Sequence, residues 1–257
     1  TGGSAANAGV QLTEIGARGV FTAEEFLAAI KPRDHPIYPP TTLVEVENTH
    51  NRAGGVVFPQ DEAVRICAGA RKLGIASYLD GARLWNVAAA TGSSLSELAA
   101  PFDLVGVSLS KGLGAPGGSL LAGSRDILAR AIRHRRMMGG AMRQVGIFAA
   151  AGIFALDNNM TRLGEDHANA HLIADRLAKC RRIAIDLATV QTNILVFGLA
   201  PDAPDAMVLV ANARARGVLI NAFGPRTVRA VTHLDVSRDQ CTRAANVLVE
   251  IVGGSTA

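Results

Sequence analysis

The sequence predicts an α/β protein, a mostly parallel sheet with flanking helices, followed by a small C-terminal α+β domain. Short β-branched runs alternate with segments whose apolar residues recur at helical spacing, the order that builds βαβ crossovers. Hydrophobic residues are 49% and charged residues 19% of the 257, which suits a chain with a large core and excludes a disordered one. Beyond residue 160 the order changes to strand, helix, strand, strand, helix, the mark of a separate α+β unit.

Taken in order, residues 10–15 read as a strand, and "TAEEFLAAIK" as a helix because Thr22 and Glu25 have capping-box spacing. "TLVEVEN" is a β-branched strand. "QDEAVRICAGARKLG" is helical up to a stop at Gly74, and "IASYLD" is a strand ending at Asp80, which completes a βαβ unit. "SLSELAA" gives a short capped helix before the strand "DLVGVSLS", after which comes Lys111. "GSLLAG" is a further strand, and Ser124 caps the arginine-rich helix "RDILARAIRHRRMM". "RQVGIFAAAGIFALDNN" and "GEDHANAHLIADRLAKC" are long helices. Residues 157–164 between them mark a boundary that divides a large domain, 1–160, from a small one, 161–257. "TNILVFGL", "DAMVLVANARARG", "VLINAF", "TVRAVTHLDV" and "CTRAANVLVEIV" supply the elements of the small domain.

Composition narrows the function classes. A net charge of +4 and 4% aromatics, with no interleaved basic pattern, argue against a nucleic-acid partner. No apolar run approaches the ~20 residues of a membrane-spanning helix. Cys67, Cys180 and Cys241 are far apart and form no C-x-x-C pair, so neither a zinc site nor a disulfide framework is expected, and a reducing cytoplasm fits. "TGGSAANAGVQL" has neither the basic nor the apolar region of a signal peptide and is expected to begin inside a longer protein. The sequon at Asn159 is read as chance.

Ligands of open α/β sheets bind at the carboxyl ends of the strands, so polar residues just past each strand are the candidates. Four clusters lie there: "ENTHNR" (47–52), "DGAR" (80–83), "SK" (110–111) and "RAVTH" (229–233). Singly, each reads as surface or capping. Lys111 has an apolar strand behind it, which lowers an amine's pKa, and glycines ahead, which permit close approach of a ligand. Such an amine attacks a carbonyl; its other reading is a lysine snorkelling from a strand end. Asp80 at the end of a buried strand calls for a cation, and a pyridinium nitrogen is one. Arg83 offers a bidentate grip on a carboxylate, or an ion pair with Asp80. Gly112, Gly114 and Gly117 match G-x-G-x-x-G, but apolar "SLLAG" follows instead of a helix, which disfavours a dinucleotide site. Arg130, Arg133, His134, Arg135, Arg136 and Arg143 form either a solvated face or an anion site.

The succession "ENTHN", "DGAR", "LSKGLGAP", "GGAMRQ", "VTHLDVS" resembles the low-specificity L-threonine aldolases, pyridoxal-phosphate enzymes of the aspartate-aminotransferase fold, and the resemblance runs through essentially the whole chain. It implies that Lys111 carries pyridoxal 5'-phosphate through a Schiff base, that Asp80 pairs with the pyridine nitrogen and that Ser110 contacts the cofactor. It further implies that Arg83 and Arg229 hold the substrate carboxylate. Arg143, and Arg136 in place of the family's usual lysine, are then expected near the phosphate of a neighbouring subunit's cofactor in a homotetramer. His50 matches a histidine near the substrate hydroxyl, as base, directly or through a water, or as a structural hydrogen-bonder. The implied reaction is retro-aldol cleavage of L-threonine, L-allo-threonine and related β-hydroxy-α-amino acids to glycine and an aldehyde. A β-eliminating lyase or aminotransferase of the same fold, or a fragment not competent alone, are the alternatives. Trp85 stands where the family often has phenylalanine, a change expected to affect packing. The family's N-terminal phosphate loop and ring-stacking histidine are not among these residues, and "TGGSAANAG" resembles the family's "EAGGAAALG" with its first residue gone, so truncation is expected.

Overall fold

The computed structural model describes residues 2–254. A short helix α1 (Gly3–Ala8) and α2 (Ala23–Ala29) lead into strand β1 (Leu43–Glu47). The Thr22–Glu25 capping box forms as predicted, each partner satisfying the other's orphan N–H. Helix α3 (Gln60–Lys72) crosses from β1 to β2 (Ala76–Gly81), and two short helices, α4 (Leu84–Thr91) and α5 (Leu95–Ala99), cross from β2 to β3 (Leu104–Ser108). These three strands are parallel, and β4 (Ser119–Gly123) closes the order β1-β2-β3-β4 antiparallel to β3.

Strand alternation sorts this sheet into two unlike faces. Val44, Val46, Leu79 and Val105 point to one side and bury against Phe26, Phe58, Ile66, Leu84, Val87 and Leu98. The in-register partners on the other side are Glu45, Tyr78 and Leu104, and one step further Glu47, Asp80 and Gly106. A one-residue slip of β1 would bury Glu45 and Glu47 in that core, and one of β2 would bury Asp80, so the hydrophobic pattern fixes where the charges emerge.

Helices α6 (Arg125–Met137) and α7 (Gly146–Asn159) then lead to α8 (Leu163–Leu177) and a second sheet. That sheet is antiparallel, built from β5 (Ile183–Ala184), β6 (Ile194–Leu199), β7 (Asn221–Gly224) and β8 (Thr227–Val231) in the order β5-β6-β8-β7. With α8, helices α9 (Ala206–Ala215) and α10 (Arg238–Gly253) cover it over a core that includes Leu195, Phe197, Leu209, Val228 and Leu248. Buried polar contacts tie the two sheets together. Thr192 donates to the carbonyl of Gly55 (2.8 Å) and Asn86 Nδ2 meets His167 Nε2 at 3.1 Å, while within the second unit Thr232 donates to the carbonyl of Asp166 (2.6 Å).

One expectation is corrected, and two helices appear that the sequence did not announce. Residues 10–15 form no strand: Val10 and Leu12 are exposed and no neighbouring strand is there to take up their backbone groups. Helix α1 lies in the small-residue opening that gave no periodic signal. Helix α4 starts directly after "DGAR" with Arg83 at its N-cap and no capping side chain, so no start signal announced it. The bend after Lys111 leads, as expected, into β4 and not into a helix.

Candidate active site

The site is the carboxyl edge of β1, β2 and β3, joined by β8 of the second sheet. Lys111 lies three residues past β3 on a bend closed by backbone bonds from Leu109 N–H to Gly118 O, Ala115 N–H to Leu109 O and Gly114 N–H to Lys111 O. Leu109 and Leu113 are buried on either side with Trp85, whose indole N–H donates to Ser108 O at 2.7 Å. The tryptophan therefore packs the strand end. The glycines correct the sequence expectation. A Cβ at Gly114 would lie 2.0 Å from Leu234 and one at Gly117 2.7 Å from Phe148, so they admit protein side chains in place of a ligand. Gly112 likewise packs on Asn86 Oδ1 and Leu163.

Asp80 ends β2 half-buried, and one of its oxygens accepts the Ala82 N–H at 3.0 Å. Its second oxygen has no hydrogen bond, and no ion pair joins it to Arg83, among the described residues. The Asp80–Arg83 ion pair is thus not what holds these residues. Partial burial, followed by the positive charge of Arg83, pulls the Lys111 amine below the ordinary lysine pKa, while Asp80 and Glu47 oppose the shift. Burial also lowers Arg83, against the pull of Glu47 and Asp80 and with the repulsion of Arg229. Mutual influence of this kind puts Lys111, Asp80, Arg83, Glu47 and Arg229 in one electrostatic unit. Glu45, which Asp80 and Glu47 influence in turn, makes the set three carboxylates beside three cations.

Arg229 reaches the site from β8. Its Nη1 donates to Asn51 Oδ1 at 2.6 Å, its guanidinium lies 4.6 Å from the centre of the Phe223 ring, and its Nε is buried without a partner among the described residues. Asn51 is itself held, its N–H donating to Glu47 Oε1 at 3.0 Å. The other Glu47 oxygen faces His50 Nε2 at 3.6 Å, and His50 Nδ1 accepts the Ala53 N–H at 3.1 Å. The chain "ENTHN" thus folds back on itself so that Glu47 connects His50 to the Arg229 anchor. Glu47 and Asn51 were inside a quoted cluster but not singled out; their place just past a strand was the signal that could have found them. Asn86 and Phe223 carried no such signal.

Ser110 is exposed at the bend, its hydroxyl 3.3 Å from that of Ser108. Arg136 at the end of α6 and Arg143 in the following turn are exposed and form no side-chain hydrogen bond to the site among the described residues. Asn159, the sequon residue, has its amide engaged by Leu113 O at 2.7 Å. The described residues contain no cluster that could hold a metal ion and no helix long and apolar enough to cross a membrane. The set suits an aldehyde cofactor with a basic ring nitrogen: among the described residues, an amine of lowered pKa with no hydrogen bond and, at the same sheet edge, a carboxylate with one open oxygen.

Residues 1–199 match the Beta-eliminating lyase family. The chain is 43% identical over 246 residues to the low specificity L-threonine aldolase of Escherichia coli O157:H7, covering 95% of this chain and 71% of that one. It is 34% identical over 221 residues to low-specificity L-threonine aldolase 1 of Arabidopsis thaliana, covering 85% and 62%. The fold is similar to that of a threonine aldolase from Leishmania major, with a TM-score of 0.73 at 20% identity over 94% of this chain and 70% of that one.

Proposed function

The chain belongs to the Beta-eliminating lyase family and, within it, to the low-specificity L-threonine aldolases, and from that premise we propose that it cleaves L-threonine, L-allo-threonine and related β-hydroxy-α-amino acids to glycine and an aldehyde with pyridoxal 5'-phosphate. The observation that carries the proposal is the meeting of Lys111 and Asp80 at one sheet edge, the amine made less basic and the carboxylate left with an open oxygen.

Lys111 would hold the cofactor covalently, Asp80 would keep its ring nitrogen protonated and Ser110 would touch it from the bend. Bound there, the cofactor supplies an electron sink for the pair released when a bond to Cα breaks. The protein's own residues do the rest. Arg83 and Arg229 present two guanidinium forks to the substrate carboxylate, and Asn51 fixes the direction of the second. Two cations on one carboxylate orient the amino acid, so that the bond to be broken is chosen by position. Release of the substrate hydroxyl proton falls to the "ENTHN" segment, within which His50 is held.

Arg136 and Arg143 belong to the same proposal as ligands of a neighbouring subunit's cofactor phosphate in a homotetramer. Their support is the exposed apolar surface that surrounds them, with Ile132, Met137, Met138, Ile147 and Phe154. The division at residues 160 and 161 is supported by the two separate sheets. Incubation with L-threonine and cofactor tests the reaction. Glycine and acetaldehyde in equal amounts are expected; a 2-oxo acid and ammonia would assign the chain to the eliminating chemistry instead.

A further inference from the structure

His50 is pinned on every side that a histidine offers. Its backbone N–H donates to Val56 O and its carbonyl accepts from Gly55, each at 2.9 Å, while Nδ1 accepts the Ala53 N–H at 3.1 Å. Gly19, at φ +80°, presses on the same ring: a Cβ there would lie 2.5 Å from His50 Cγ, leaving no room to turn over. A neutral imidazole has one N–H and one lone pair. Because the Ala53 N–H points at Nδ1, the lone pair is at Nδ1 and the proton is on Nε2, facing Glu47 at 3.6 Å. Neither nitrogen is then free to accept a proton from a substrate.

The carboxylate beside it is free to do so. Glu47 is half-buried at the end of β1, in register with Asp80 on the same face, and one of its oxygens already holds the Asn51 N–H that orients the Arg229 anchor. We propose that Glu47, and not His50, takes the proton of the substrate's β-hydroxyl, with His50 fixed beside it, its Nε2–H side 3.6 Å from the carboxylate. The step rests on the aldolase function above and balances as follows. The O–H bond breaks toward a Glu47 oxygen and its electron pair forms the aldehyde C=O. The Cα–Cβ pair remains on Cα, which takes a proton from water, and Glu47 returns its own proton to solvent.

Two measurements test it. Long-range 1H–15N spectra of the chain without cofactor, with the His50 signals identified by their loss in His50→Gln, report the tautomer; Nε2–H is expected, and Nδ1–H overturns the proposal. In the cofactor-loaded enzyme, Glu47→Gln is expected to slow L-threonine cleavage about 10²- to 10⁴-fold, the range for loss of a general base. It should slow exchange of the glycine Cα proton with deuterated water, which involves no hydroxyl, far less, and Glu47→Asp should restore part of the cleavage. His50→Gln, which keeps an N–H donor, should lose less than about 10-fold, since it removes no proton acceptor. The reverse ranking of the two glutamine variants assigns the base to His50 and overturns the proposal. If the parent chain neither cleaves threonine nor exchanges glycine, the aldolase function itself fails, and the tautomer spectrum still decides the orientation of His50.

Discussion

Replacing Asn51 with leucine removes the acceptor that aims Arg229 at the substrate. The bond lost is the 2.6 Å contact from a guanidinium, and Arg229 Nε already has no partner, so the side chain keeps only its stacking on Phe223 at 4.6 Å. A hydrogen bond to a charged group contributes about 1.5–3 kcal/mol, which converts to about a 10- to 150-fold loss. The loss should fall mainly on KM for L-threonine, because the carboxylate is held in ground state and transition state alike. The assay follows acetaldehyde by coupled reduction over a range of threonine concentrations, with thermal unfolding of the same preparation as control. Asn51→Asp, which keeps an acceptor, should stay close to the parent. A parent-like kcat/KM in Asn51→Leu, or a loss accounted for by unfolding, would refute the assignment of Arg229 to the carboxylate.

Gly19→Ala places a side chain at φ +80° against the His50 ring, and the backbone cost alone is about 1–2 kcal/mol, so the midpoint of thermal unfolding should fall by at least about 2 °C. Thr232→Val removes the buried hydroxyl that donates to Asp166 O, an oxygen inside helix α8 that keeps its helical acceptor role, and should cost about 0.5–1.5 kcal/mol in urea unfolding. Lys111 has a folded pKa below its unfolded value, so the unfolded chain binds more protons in the window between the two. Its contribution therefore opposes folding below the folded pKa and is relieved as pH rises toward the ordinary lysine value. Accordingly, Lys111→Met should be no less stable than the parent in urea at neutral pH; a clear loss of stability would contradict the lowered pKa of this exposed lysine.

Much of the fold was legible because its signals are local. The Thr22–Glu25 capping box, the capped short helix of "SLSELAA", the Gly74 stop and the β-branched "TLVEVEN" each act within one element, and each formed as expected. Residues 10–15 misled because a strand needs a neighbour, which a local pattern does not specify. At the site, Lys111, Asp80 and Arg83 were legible through one topological rule, that strand ends in a parallel sheet converge. Arg229 comes from a different sheet, and its support by Asn51 spans 178 residues, a separation that no spacing encodes. The glycines after Lys111 show the opposite failure: the motif was plain, but Leu234 and Phe148, the atoms it admits, lie far along the chain.

The central claim is that one amine at the edge of the first sheet carries the aldehyde cofactor. Mixing the chain with pyridoxal 5'-phosphate, reducing with borohydride and mapping the labelled peptide tests it directly. The label is expected on Lys111; a label on Lys31, Lys72 or Lys179 in its place, or none at all, would contradict the account.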